Sequence, residues 1–156
     1  MSRPISRAVT GHHANGAATV IMDLDATCVL SRPNRLGVTL TNLWQNDKTS
    51  AAMERHNDPV DGPLKLQPPK HGSVFRIVQF DHENPEELAK LDGKFAFAEV
   101  GAGDNVVENA RHPFMHRTGS LDHSVIRTGE IYMMMDDEEY LLKAGDTVVQ
   151  QGTNHA

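Results

Sequence analysis

The stretch from His112 to His155, HPFMHRTGSLDHSVIRTGEIYMMMDDEEYLLKAGDTVVQQGTNH, decides the fold class of this 156-residue chain. From Asp122 to Arg127 apolar and polar residues alternate at about period two, Gly129 breaks the run, and Ile131 to Met135 resumes as an apolar strand. Asp136-Asp137-Glu138-Glu139 reads as a turn and Tyr140 to Lys143 as a third strand. Ala144-Gly145-Asp146 is a tight turn, and Thr147 to Gln150 is a fourth strand that ends at Gly152-Thr153-Asn154-His155. No helical segment separates these strands for a parallel crossover, so they belong to an antiparallel barrel or sandwich and the chain to the all-β class.

The residues before His112 read as a polar, loop-rich leader with intermittent strands. Arg7 to Thr10 and Ala18 to Asp23 flank a turn-rich loop, Gly11 to Gly16, as an early hairpin. Leu36 to Gln45 is a strand with Val38, Leu40, Asn42 and Trp44 on one face and Trp44 as its anchor. Pro59, Pro63, Pro68 and Pro69 exclude a regular central strand from Asn57 to His71. Ser73 to Phe80 is a further strand. Its Arg76 reads either as a snorkelling edge residue or as a carboxylate binder at a pocket mouth. One short helix is legible, with Asn84 as its cap, Pro85 at its first position, Glu86 and Glu87 at its positive end and Gly93 terminating it after Leu91. Thr49 to His56 has the composition of a second helix. Gly101-Ala102-Gly103 lacks the strand-turn-helix setting of a phosphate loop and reads as a flexible linker.

The strand and glycine spacing of the last third of the chain resembles the two motifs of the cupin superfamily. The first family motif runs His-x-His, three or four residues, Glu, six residues, Gly. Counted back from Gly129, it puts Asp122 at the Glu position and His116 and Thr118 at the two His positions. The second motif, a Gly opening a strand and a closing Gly-x-x-His, matches Gly145 and Gly152-Thr153-Asn154-His155, with Gln151 where the family often has proline. The wording of this region also resembles a group of small single-cupin proteins. The resemblance implies a cupin jelly-roll β-barrel over 73–156, with 1–72 as a strand-bearing N-terminal extension and one or two short helices. It also implies closing strands beyond Ala156, or closure by the chain's own N-terminal strands or those of a neighbour.

By the same resemblance His116, Asp122 and His155 form an N,N,O ligand set, suited to a divalent iron, nickel, manganese or zinc ion. Thr118 and Asp122 depart from the family's ligands, since a hydroxyl is a weak substitute for imidazole and Asp is one methylene shorter than Glu. Alternation puts Asp122, Ser124 and Ile126 on one strand face and turns His123 outward. Thr118, Ser124, Ile126, Met133, Met134 and Arg76 are the candidate lining of a substrate pocket. Each residue also has a plainer reading. His116 can cap a turn, Asp122 can bond backbone at the strand entry, His155 can be a tail residue, and the Met133-Met134-Met135 run can be core. His112, beside Pro113, reads as loop, and His12, His13 and His56 as solvated surface.

Composition narrows the function classes. The formal charge is -6 and the basic residues are scattered, so the chain has no electrostatic footprint for nucleic acid or an anionic membrane. A chain of this length buries roughly 70% of its unfolded surface as one domain. A single Cys28 excludes an internal disulfide and reads as a buried small hydrophobe. No run resembles a signal peptide or approaches the roughly 20 apolar residues of a membrane span, which leads to the expectation of a cytoplasmic protein. Two function classes stay open: a metal-dependent dioxygenase, isomerase or lyase acting on a small organic molecule, and a non-catalytic ligand-binding or sensing module without metal. The resemblance also implies a homodimer. Sedimentation at micromolar concentration is expected to show a dimer, and a monomer alone would remove that expectation.

Overall fold

A computed structural model describes residues 4–53 and 57–156. Of the chain, 42% is strand and 9% helix, so it is an all-β protein; among the described residues the strands do not close into a barrel. No helix among them is long and apolar enough to cross a membrane. The chain divides into two compact units, Met1–Glu83 and Asn84–Ala156.

In the first unit β1 (Ser6–His12) and β2 (Ala18–Asp25) form the expected antiparallel hairpin. Its turn closes through the Gly16 amide donating to His13 O at 2.9 Å and the Ala17 amide donating to Asn15 Oδ1 at 3.0 Å. A three-stranded antiparallel sheet follows, in the order β3 (Cys28–Arg32), β4 (Arg35–Asn46), β5 (Ser73–Phe80). Strand β3 is an addition to the sequence reading, which places no element over Cys28–Arg32. Strand β4 does not keep the expected alternation. A bulge between Asn42 and Trp44 inserts Leu43 out of register and turns it inward. Leu40 and Leu43 are therefore buried, and Trp44, expected as the anchor, is only half-buried. The expected helix from Thr49 to His56 is absent over 49–53, where polar flanks leave no apolar stripe to bury; Glu54, Arg55 and His56 lie outside the described residues.

A buried guanidinium ties this unit together. Arg7, on β1, donates to Leu43 O at 2.7 Å and to both carboxylate oxygens of Asp58, so it joins the hairpin, the β4 bulge and the proline-rich segment. Burial alone would raise the Asp58 pKa. The Arg7 hydrogen bond, the Val60 amide and the Arg7 charge outweigh it and hold the carboxyl below its usual range. Cys28 is buried as expected, its thiol donates weakly to Gly62 O, and burial pushes its pKa up, so it is an unreactive core residue.

The second unit opens with α1 (Pro85–Leu88), capped as expected by Asn84 Oδ1 accepting from the Glu86 amide at 2.9 Å. Gly93 does not end it but starts α2 (Gly93–Ala98), whose cap is Asp92 Oδ1 accepting from the Phe95 amide at 3.0 Å. Glycine is needed there because a Cβ would run into Pro113 O. The Gly101-Ala102-Gly103 segment is not a linker. Ala102 is 1% exposed, its amide donates to Phe97 O, and Gly103 begins a 3-10 turn, Gly103–Asn105. Then come β6 (Leu121–Val125), β7 (Glu130–Met134), β8 (Glu139–Lys143) and β9 (Thr147–Gln151), each within a residue or so of its expected place. Their pairing is nested: β7 with β8 inside, β6 with β9 outside, both antiparallel. Ala96, Val100, Ala102, Phe114, Met115 and Leu142 are the buried apolar residues of this unit, Met115 completely.

Replacing Asp58 with alanine leaves the Arg7 charge buried without its carboxylate. We expect a loss of about 3 kcal/mol, read as a lower urea midpoint at unchanged slope, against a much smaller effect for an exposed control such as Asp61→Ala.

Candidate functional site

Two segments that belong to no long strand build the site. His116 exchanges both backbone hydrogen bonds with His155, each at 2.9 Å, as an isolated antiparallel bridge, and His116 also bridges Val106. The neighbouring Ala156 exchanges a second pair with Met134, each at 3.0 Å. Asn154 adds a side-chain bond to both oxygens of Asp136. The His155 segment is thus fixed on two sides, which replaces the reading of His155 as a loose tail residue.

Directly paired residues of an antiparallel bridge carry their side chains on the same face. The imidazoles of His116 and His155 accordingly lie with ring centroids 4.2 Å apart. Each ring is oriented by its own chain: His116 Nδ1 donates to Phe114 O and His155 Nδ1 to Thr153 O, both at 3.0 Å. A carbonyl can only accept, so Nδ1 carries a proton in both rings, and Nε2 is the atom that offers a lone pair when a ring is neutral. Phe97, from α2, covers His116 at a centroid distance of 4.4 Å. Sequence reasoning misses Phe97 because it treats Gly93 as a helix stop. Asp92 standing three residues before Phe95 is the signal that a second helix starts there.

Burial under Phe97, followed by the charge of His155, drives the His116 pKa down from 6.5 to about 4. The Phe114 carbonyl and the Asp122 carboxylate act in the opposite direction and lose. His116 is therefore a neutral imidazole near pH 7, the state in which it can serve as a metal ligand or a proton acceptor.

The other expected site residues are placed as follows. Asp122 is half-buried on β6, close enough for its charge to act on His116, yet among the described residues no group of three His, Cys, Asp or Glu side chains converges as a ligand set. Thr118 accepts a hydrogen bond from Ser120 Oγ at 2.8 Å. Gly152, at φ +64°, approaches it so closely that a Cβ would lie 3.0 Å from Thr118 O. Ser124 is exposed opposite Val148, and His123 is exposed on the other face of β6, as expected. Ile126 is half-buried and exchanges backbone bonds with Asp146 and Gly145. Met133 and Met134 are half-buried on opposite faces of β7. Arg76 lies in the first unit, where it donates to Asn42 Oδ1 at 2.6 Å and to the carbonyls of Leu66 and Lys65 at 3.0 and 2.6 Å. His12 and His13 are exposed, and His112 Nδ1 accepts from the Phe114 amide.

The depressed His116 pKa makes a testable statement about stability. Below pH 6.5 the unfolded chain takes up a proton that the folded site refuses, so chelator-treated protein is expected to lose up to about 3 kcal/mol between pH 6.5 and 4, with no further loss below. Urea unfolding of wild type minus His116→Phe across that range isolates the effect. A difference that does not change with pH would mean that the folded site accepts the proton freely.

No protein-family model matches the chain. Over 42 residues it is 52% identical to each of two proteins of Diaporthe leptostromiformis, Phomopsin biosynthesis cluster protein C' and Phomopsin biosynthesis cluster protein D. The matched stretch covers 26% of this chain and 22% of each relative, so the chain spans about a fifth of the curated relatives it matches.

Proposed function

We propose that the second unit is a cupin-type module that binds a small organic molecule beside a divalent metal ion held by His116 and His155. The observation that carries the reading is the histidine pair itself, with both Nδ1 atoms bonded to carbonyls, which leaves Nε2 of each ring as the ligating atom. Orienting a ligating imidazole through its second nitrogen is the usual outer-shell device of histidine metal sites. The depressed His116 pKa supports the same reading, because protons do not compete for the ring near neutral pH. The nested pairing of β6 with β9 and β7 with β8 is what a rolled-up hairpin gives, and it supports a jelly roll.

The donor set fits an ion of the iron, nickel, manganese or zinc type. His116 and His155 would hold it, with Asp122 as the nearby carboxylate that balances its charge. A bound ion would supply a Lewis acid with open positions, in the manner of a dioxygenase, isomerase or lyase. The chain's own part is to keep His116 neutral, to fix both rings and to exclude water with Phe97. Two protein nitrogens make a weaker site than three ligands, and this favours the second reading, a ligand-binding or sensing module without chemistry. The two relatives take their names from a biosynthesis cluster, which is in keeping with a small organic ligand for this chain, over the short stretch they share.

Elemental mass spectrometry on untagged protein is expected to find close to one equivalent of a transition metal, lost in the His116→Ala, His155→Ala double variant. Metal absent from wild type even after reconstitution would leave the binding-module reading.

A further inference from the structure

The second unit also carries an open concavity of about 270 Å3, lined by Asp104, Asn105, Arg117, Thr118, Gly119 and Gly152. Three segments build it, and backbone contacts clamp them. The Arg117 amide donates to Asn105 O at 3.0 Å, Asn105 Nδ2 donates to Arg117 O at 2.7 Å, and Gly152 closes on Thr118 O. The pocket walls are therefore pre-formed, while the charged side chains on its rim remain exposed.

The charges on that rim have opposite signs. Asp104 and Arg117 border one small space, yet among the described residues neither side chain forms an ion pair or a hydrogen bond, with each other or with a third group. A lone anion entering here meets Asp104, and a lone cation meets Arg117, so each is opposed by one wall. A molecule bearing one charge of each sign satisfies both. The guanidinium fork matches a carboxylate, and Thr118, whose oxygen already accepts from Ser120, has its own hydroxyl hydrogen left to donate to the same group. The volume is below that of a drug-sized site, which limits the occupant to a small molecule.

We propose that this pocket binds a small zwitterion of the amino-acid or short-peptide type, its carboxylate on Arg117 and Thr118 and its ammonium on Asp104. The site is separate from the imidazole Nε2 atoms and stands whether or not His116 and His155 take a metal. Two of its three segments nonetheless carry the histidine pair, since Thr118 follows His116 and Gly152 precedes His155 by a few residues.

Calorimetric titration of the full chain with L-alanine, with L-alanyl-L-alanine, and with the N-acetylated and C-amidated dipeptides tests this without altering the protein. A free zwitterion is expected to bind, and capping either end to weaken binding by about tenfold or more. In Arg117→Gln the free acid and the amide should bind alike; in Asp104→Asn the free amine and its acetyl form should bind alike. A Cβ added at Gly119 would meet nothing within 4 Å and the backbone there is not left-handed, so Gly119→Leu should fold normally, as judged by circular dichroism, and block the pocket. Equal affinity for alanine and the dipeptide assigns the site to amino acids, and tighter dipeptide binding assigns it to peptides. No binding of either zwitterion up to about 10 mM, capped dipeptides that bind as well as the free one, or both charge variants behaving as wild type would overturn the proposal.

Discussion

The double exchange of backbone hydrogen bonds between His116 and His155 is the constraint on which the histidine site rests. A single bridge of this kind is weak, but here it is braced by the Ala156 and Met134 pair and by the Asn154 side chain on Asp136. Each imidazole directs its Nδ1 proton to a nearby carbonyl of its own segment, so ring orientation follows backbone placement and needs no metal to impose it. Both rings are therefore held by the fold itself.

The same two stretches of chain present chemistry of two kinds. At His116 and His155 the first ring is drawn out of water by Phe97 and kept neutral, where burial outweighs the stabilising carboxylate of Asp122. Next along the chain Arg117, together with Asp104 from the 3-10 turn, stays exposed around a polar concavity. Neutral nitrogen donors and a charged recognition pocket demand opposite solvation. The unit provides both by covering one end of the segment 116–119 with α2 and leaving the other end open. In the first unit the comparable element is Arg7, a buried cation that holds three pieces of backbone and side chain at once and whose carboxylate partner keeps it from being an uncompensated charge.

Much of the strand pattern is legible because strand signals are local. The hairpin β1–β2, the run of β5 and the four closing strands follow from alternation and from turn residues at the expected places. The departures have identifiable reasons. The β4 bulge is a register event between two strands, and no single-strand alternation contains it, so Trp44 and Leu43 exchange roles. Gly93 has the helix stop as its commonest use. Its actual requirement is the close approach of Pro113 O, a contact between residues twenty positions apart. Ala102 resembles a linker residue through its glycine neighbours, and its burial depends on α2, a helix that a stop at Gly93 rules out.

For the site, the sequence by itself determined which residue types were available: two histidines, a carboxylate between them and glycines at turn positions, with spacing that resembles a cupin's. That much is local information, carried by residue identity and turn chemistry. Only the tertiary structure decided that His116 and His155 share one face, that Phe97 lies against the first ring, and that Arg76 is engaged within the first unit. It also decided that Asp104 and Arg117 line one pocket for which no local pattern exists. The physical reason is that strand register and helix docking are set by contacts between residues far apart in the chain, and a one-residue change in either turns a side chain to the opposite face.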